Sequence, residues 1–242
     1  MARSKRKITI LHLYAAELNI YGDHGNIVTL IQRLKWRGFD PEVVYAGVGD
    51  RPAIAKADII FGGGGQDSGQ INVGRDLQRH AGALHKAAEA GVPMLTICGT
   101  YQLFGHGFTT LDGTDIPGIS LFAARTVGSR QRMIGNVLVD SPLGLLVGFE
   151  NHSGRTLLEE GQAPLGTVTQ GYGNDGRSGA EGAVSGNVYG TYLHGPVLPK
   201  NPALADKLIL AAVQRRYDEA ALKPLDDDTE KAAAAVVAQR PQ

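Results

Sequence analysis

Apolar and polar positions alternate in two rhythms over the first hundred residues. Short apolar runs at residues 8–14, 42–45, 58–61 and 94–98 predict strands, and the stretches 26–37 and 75–90, apolar every third or fourth position, predict helices. Gly38 stops the first helix, and Gly91 with Pro93 stops the second. Strand and helix in alternation predict an α/β fold, a mostly parallel sheet flanked by helices, in which ligands gather at the carboxyl ends of the strands. From about Ser120 the pattern changes to short β-like pieces at 134–139 and 146–150. A glycine-dense stretch at 171–190 follows, and together these predict added hairpins and turns. A further strand at 187–193 and a closing helix at 202–217 complete the pattern. The segment from Asp226 onward is acidic, then rich in alanine, and low in complexity, so residues 1–225 read as one domain and 226–242 as a tail expected to fray. No internal repeat and no second domain is evident.

Composition narrows the function classes. With 242 residues, 43% of them apolar, the chain can bury a sizeable core. Lys plus Arg and Asp plus Glu stand at 24 each, so no overall field favours nucleic acid or an anionic membrane. The basic residues at 3–7 run straight into the first strand, and neither a signal peptide nor a membrane span is expected. A single cysteine cannot close an internal disulfide, which fits a reducing cytoplasm and leaves the thiol free to react.

That cysteine, Cys98, ends an apolar run and opens Gly99-Thr100-Tyr101-Gln102, the strand, reactive side chain and tight turn of a nucleophile elbow. Lone cysteines are often small buried hydrophobes, but this placement makes Cys98 a candidate nucleophile. A helix N-terminus after it and a nearby imidazole would favour the thiolate that attack requires. Among seven histidines, His194 is the candidate base, because a β-branched and aromatic run delivers it into the rigid exit Gly195-Pro196. His80 and His85, five apart on a predicted helix, do not share a face, and no zinc motif is present. Gly62 to Gly65 follow the third strand without the Gly-Lys-Ser/Thr of a phosphate loop and without the dinucleotide fingerprint. Their remaining use beyond a plain turn is an oxyanion hole, with backbone N–H groups of Gly63 and Gly64 assisted by that of Gly99.

These residues resemble the class I, triad-type glutamine amidotransferases of the cobyric acid synthase-like branch. The resemblance rests on Phe61 to Asp67, on Ile97 to Gln102, on Gly148-Phe149-Glu150-Asn151-His152-Ser153-Gly154-Arg155-Thr156, and on Gly190 to Pro196. Together with Gly171-Tyr172-Gly173-Asn174 and the run His194 to Pro202, it is most similar to the small amidotransferase subunits of lipid II isoglutaminyl synthases. The resemblance implies a flavodoxin-like fold and hydrolysis of L-glutamine to glutamate and ammonia. It also implies a heterodimer with a Mur-ligase-like subunit. That partner would use ATP and Mg to amidate the α-carboxylate of D-glutamate in lipid II at the inner face of the membrane. No cofactor or metal is implied in this chain. The family holds glutamine with an arginine of the 120–135 region, which Arg132 matches best, with Arg125 and Arg130 as competitors.

Two departures stand out. Thr96 and Thr100 occupy positions that elbows usually give to glycine, and Pro196 stands where the common triad has a glutamate. The resemblance implies that an aspartate of the ligase partner fills that role, and within the chain Glu150 is the first acid to test. Rival readings are a stand-alone cysteine hydrolase, a component of another cobyric acid synthase-like ligase, and a non-catalytic subunit that keeps the fold.

Overall fold

The early apolar runs form β1 (Arg6–Leu13), β2 (Phe39–Ala46), β3 (Ile59–Gly62) and β4 (Met94–Ile97). The computed structural model describes residues 6–65 and 67–240, so Arg3 to Lys5, Gln66 and the last two residues of the expected tail lie outside the described residues. The middle of the chain supplies β5 (Gly107–Thr109), β6 (Asp115–Pro117), β7 (Ala124–Ser141), β8 (Gly144–Leu158), β9 (Gly166–Gln170) and β10 (Ala180–Glu181). β11 (Ala183–Ser185) and β12 (Val188–Thr191) follow. The helices are α1 (His24–Trp36), α2 (Asp67–Gln78), α3 (Ala81–Glu89), α4 (Gly99–Phe104), α5 (Pro202–Tyr217) and α6 (Asp228–Ala238).

The central sheet has the order β11-β12-β4-β3-β1-β2, parallel throughout except for the edge strand β11. From β1 the chain crosses through α1 to β2 in one direction, and from β3 it crosses through α2 and α3 to β4 in the other. Right-handed crossovers therefore put α1 and the α2–α3 pair on opposite faces. The point where the direction reverses lies between β1 and β3, and in sheets of this kind ligands gather at the carboxyl ends of the strands.

The expected helix at 75–90 is instead two. α2 begins at Asp67, and its last turn tightens through bonds from Arg79 N to Asp76 O and from His80 N to Leu77 O before α3 starts. The expected strands at 134–139 and 146–150 are the centres of a much longer ribbon, β7 with β8, which shifts register between Gly128 and Met133. This ribbon anchors a second sheet of order β10-β9-β7-β5-β6. Backbone bridges from Phe149 to His194 and from Ala163 to Val184 tie the two sheets together. The alanine-rich end forms α6, and Asp227 just before it pairs with the buried Arg33, whose fork also holds Asp206 of α5. Among the described residues no helix is long and apolar enough to cross a membrane.

One buried side chain sets a pH limit on the fold. His12 of β1 is fully buried against Phe61, Tyr45 and His24, and neither ring nitrogen has a hydrogen-bond partner. Burial, reinforced by the charge of His24, pushes its pKa down to about 4. Below the unfolded value of about 6.5 the unfolded chain takes up a proton that the folded chain refuses. Stability is therefore complete above that value and is lost as the pH falls toward 4, by about 3 kcal/mol in all. His12→Leu is expected to melt with a shallower dependence on pH between 7 and 4.5 than the wild type. Equal slopes in the two proteins would show that His12 does not control the acid limb.

Candidate active site

Cys98 sits between β4 and α4 with φ 48° and ψ −103°, a backbone conformation that is strained for any residue with a side chain. Its N–H is donated to Thr191 O at 2.9 Å, and its carbonyl receives the Gln102 N–H at 2.9 Å. The threonines that replace the usual elbow glycines fasten the turn. Thr96 Oγ1 donates to Tyr189 O at 3.2 Å, and Thr100 Oγ1 donates to Gly63 O at 2.6 Å. The missing room has moved to the neighbouring strand, because a Cβ on Gly62 would lie 2.5 Å from Thr100 Cγ2. Cys98 is 8% exposed and lies at the edge of the core.

His194 leaves the end of β12 and is fully buried. Its main chain is clasped by Phe149 on β8, with His194 N donating to Phe149 O at 2.7 Å and Phe149 N to His194 O at 3.3 Å. This clasp explains why the Gly148 to Thr156 motif accompanies the histidine. Gly64 lies where the side chains converge, since a Cβ there would stand 2.8 Å from His194 Cε1 and 3.2 Å from Cys98 Cβ.

The third group is Asp23, which sequence reasoning missed. Its Oδ1 lies 3.7 Å from His194 Nδ1, with both side chains buried, and its Oδ2 accepts the Gly64 N–H at 2.7 Å. Asp23 occupies the N-cap position of α1, where an aspartate ordinarily accepts a bond from the first helical turn, yet it makes no such bond. The carboxylate is turned toward Gly64 and His194 instead. An uncapped helix cannot be read from sequence, so the visible signal was only an Asp ahead of an amphipathic helix. Burial alone would lower the pKa of His194. The charge and hydrogen bonding of Cys98, joined by Asp23, outweigh it and push the value up to about 10. The site therefore favours the protonated, imidazolium form of His194.

Two expectations change. The sequence expects Gly64 to aim its N–H at the oxyanion, but that N–H is committed to Asp23 at 2.7 Å. Glu150 does not reach the His194 ring. Its oxygens accept the N–H groups of Tyr172 at 2.6 Å and Gly173 at 2.8 Å, and its other neighbour is His152 Nε2 at 3.7 Å. The motif histidine, His152, stacks on Tyr192 with ring centroids 3.5 Å apart. Arg132 lies exposed on β7, gripped by Asn151 Oδ1 at 3.1 and 2.7 Å. It pairs with no carboxylate among the described residues, whereas Arg125 is drawn to Asp115 at 3.6 Å.

A strained cysteine, a buried imidazole and a buried carboxylate thus gather near the carboxyl ends of the parallel strands, an arrangement that suits a hydrolase of the glutamine amidotransferase class. The chain belongs to the CobB/CobQ-like glutamine amidotransferase domain family, whose pattern matches residues 9–202. It is 39% identical over 235 residues to the lipid II isoglutaminyl synthase subunit GatD of Staphylococcus aureus, covering 97% of this chain and 96% of that protein. To the corresponding GatD of Streptococcus pneumoniae it is 33% identical, covering 92% and 86%. Among solved structures, one described as a glutamine amidotransferase superposes with a TM-score of 0.58 at 15% identity, covering 84% of this chain and 98% of that one. The glutaminase domain of Trypanosoma brucei CTPS superposes with a TM-score of 0.53 at 13% identity, covering 87% and 95%. These two likenesses establish the flavodoxin-like, class I amidotransferase fold.

Proposed function

We propose that this chain is the glutamine-hydrolysing subunit of a lipid II isoglutaminyl synthase. The observation that carries the reading is the convergence of Cys98, His194 and Asp23 in a chain similar to GatD along nearly its whole length.

In this reading the Cys98 thiolate attacks the side-chain amide carbon of L-glutamine, forming a carbon–sulfur bond. The oxyanion meets the N–H groups of Gly63 and Gly99. The His194 imidazolium gives its proton to the departing nitrogen, the carbon–nitrogen bond breaks, and ammonia leaves. The neutral imidazole then takes a proton from water as that water attacks the thioester, releasing glutamate and restoring the thiolate and the imidazolium. Asp23 stabilises the imidazolium in both states. Arg132, which pairs with no carboxylate among the described residues, binds the α-carboxylate of glutamine through a charge-assisted bond and so selects the free amino acid.

Ammonia then passes to a Mur-ligase-like partner subunit. ATP and Mg on that partner activate the α-carboxylate of the D-glutamate in lipid II, which becomes D-isoglutamine. The work takes place in the cytoplasm, at the inner face of the membrane where a lipid-linked substrate is reached through the partner.

The test is to purify the chain alone and together with its co-purifying partner, and to measure glutamate released from L-glutamine and isoglutamine formed in lipid II. Glutamate in both samples and isoglutamine only with partner and ATP is the expected result. Absence of glutamate from both would overturn the reading.

A further inference from the structure

Outside the reacting groups, the most consequential buried charge is Glu181. It is 1% exposed, and it ends β10 in the second sheet while its side chain reaches the end of β12 in the first. Its Oε1 accepts two bonds, from Thr191 Oγ1 at 2.6 Å and from Tyr192 N at 2.7 Å. Thr191 is itself a junction. Its hydroxyl accepts the Leu193 N–H at 3.0 Å, and its carbonyl accepts the Cys98 N–H at 2.9 Å. One carboxylate oxygen thus governs the backbone of the three residues that lead to His194 and, through Thr191, the backbone of the nucleophile.

We propose that Glu181 is a positioning residue of the hydrolytic site, holding the Thr191 to Leu193 segment so that the His194 ring and the Cys98 sulfur keep their reactive separation. The proposal rests on the hydrolytic reading above. It accounts for a carboxylate kept where burial is costly and where, among the described residues, no cation is paired with it. Charged hydrogen bonds to a carboxylate are shorter and stronger than neutral ones, which is what a fixed geometry requires.

The same placement links the site to pH. Burial, helped by the charge of Glu150, outweighs the bonds from Thr191 and Tyr192 and pushes the Glu181 pKa up to about 7. The titratable groups that interact with it are Glu150 and the phenol of Tyr101. Its Oε2 has no hydrogen-bond partner, so a proton can settle there while Oε1 keeps both accepted bonds in weaker, neutral form. The grip is therefore firm above neutrality and slackens as the pH falls through about 7.

The test uses Glu181→Gln, Glu181→Leu, Thr191→Val and Thr191→Ser in the full chain, with kcat and KM for glutamine measured across pH 5.5–9. The alkylation rate of Cys98 by iodoacetamide is read in parallel. Displacing a catalytic group by about 1 Å can cost about a hundredfold in rate. Glu181→Leu and Thr191→Val are therefore expected to lower kcat about 10- to 100-fold with little change in KM, and to slow alkylation. Glu181→Gln keeps a neutral acceptor at every pH, so its kcat should stay near the wild-type value at pH 5.5 throughout and lose the limb below neutrality. Thr191→Ser keeps the hydroxyl and should recover kcat. Should Glu181→Leu fail to fold, the two Thr191 variants decide the matter alone. Wild-type kcat and alkylation in Thr191→Val, or an unchanged acid limb in Glu181→Gln, would overturn the proposal. If the wild-type chain does not hydrolyse glutamine at all, the hydrolytic reading falls, and the alkylation rates still decide whether Glu181 and Thr191 set the Cys98–His194 geometry.

Discussion

Cys98→Ala is expected to abolish glutamine hydrolysis, with kcat falling about 10⁴- to 10⁶-fold, the range found when the nucleophile of a comparable acyl-transfer site is removed. No other side chain can form the thioester, since Cys98 is the only cysteine in the chain. Cys98→Gly should be equally inactive yet differ in stability. At φ 48° an alanine retains the Cβ that makes this backbone unfavourable, whereas glycine adopts it readily. Cys98→Gly is therefore expected to be more stable than Cys98→Ala by about 1 kcal/mol, read as a higher melting temperature. Residual turnover in either variant within tenfold of wild type would exclude Cys98 as the nucleophile. Equal melting temperatures would show that the elbow stores no strain.

The elbow was legible in the sequence because its determinants are local: an apolar strand, a cysteine and a turn within a few residues. The same holds for α5, whose bounds follow from Pro202 at its start and an unbroken helical run to Tyr217. The α2–α3 break was not legible, since Gly69 and Gly74 hide the helical period at the start of α2 and the tightened turn at Arg79 and His80 has no sequence marker. The β7–β8 ribbon was underestimated for another reason. Residues 128–132 are polar and mostly exposed, and 129–132 span the register shift between the paired Gly128 and Met133, so no apolar pattern marks this part of the strand. Glu150 was the natural in-chain acid to suspect because it lies in a motif that contacts His194. Its backbone neighbour Phe149 does clasp His194, but the Glu150 side chain points to the Tyr172–Gly173 turn. Asp23, far away in sequence, is brought in by the switch-point topology. That is long-range information which no local pattern contains.

Asp23→Asn carries the second large effect and decides where the triad acid resides. Asparagine can still accept the Gly64 N–H through its side-chain oxygen, so this variant removes the charge facing His194 and spares the loop. An acid that stabilises the imidazolium and fixes its tautomer is worth about 10⁴ in kcat in a comparable triad. The 3.7 Å separation is longer than a hydrogen bond, though such contacts often tighten only once substrate is bound. The expected loss for the isolated chain is therefore about 10²- to 10⁴-fold in kcat. Because Asp23 helps hold the His194 pKa up, the alkaline limb of the rate profile should also move to lower pH in the variant. The measurement is ammonia release by wild-type and Asp23→Asn chains, each alone and with the partner subunit, and again with partner variants whose interface carboxylates are changed one by one to amides. A large loss in Asp23→Asn that partner variants do not reproduce places the acid within this chain. A wild-type-like Asp23→Asn chain, combined with one partner carboxylate whose removal silences the complex, would instead place it across the interface. In that case Asp23 serves only to hold the Gly64 backbone beneath the dyad.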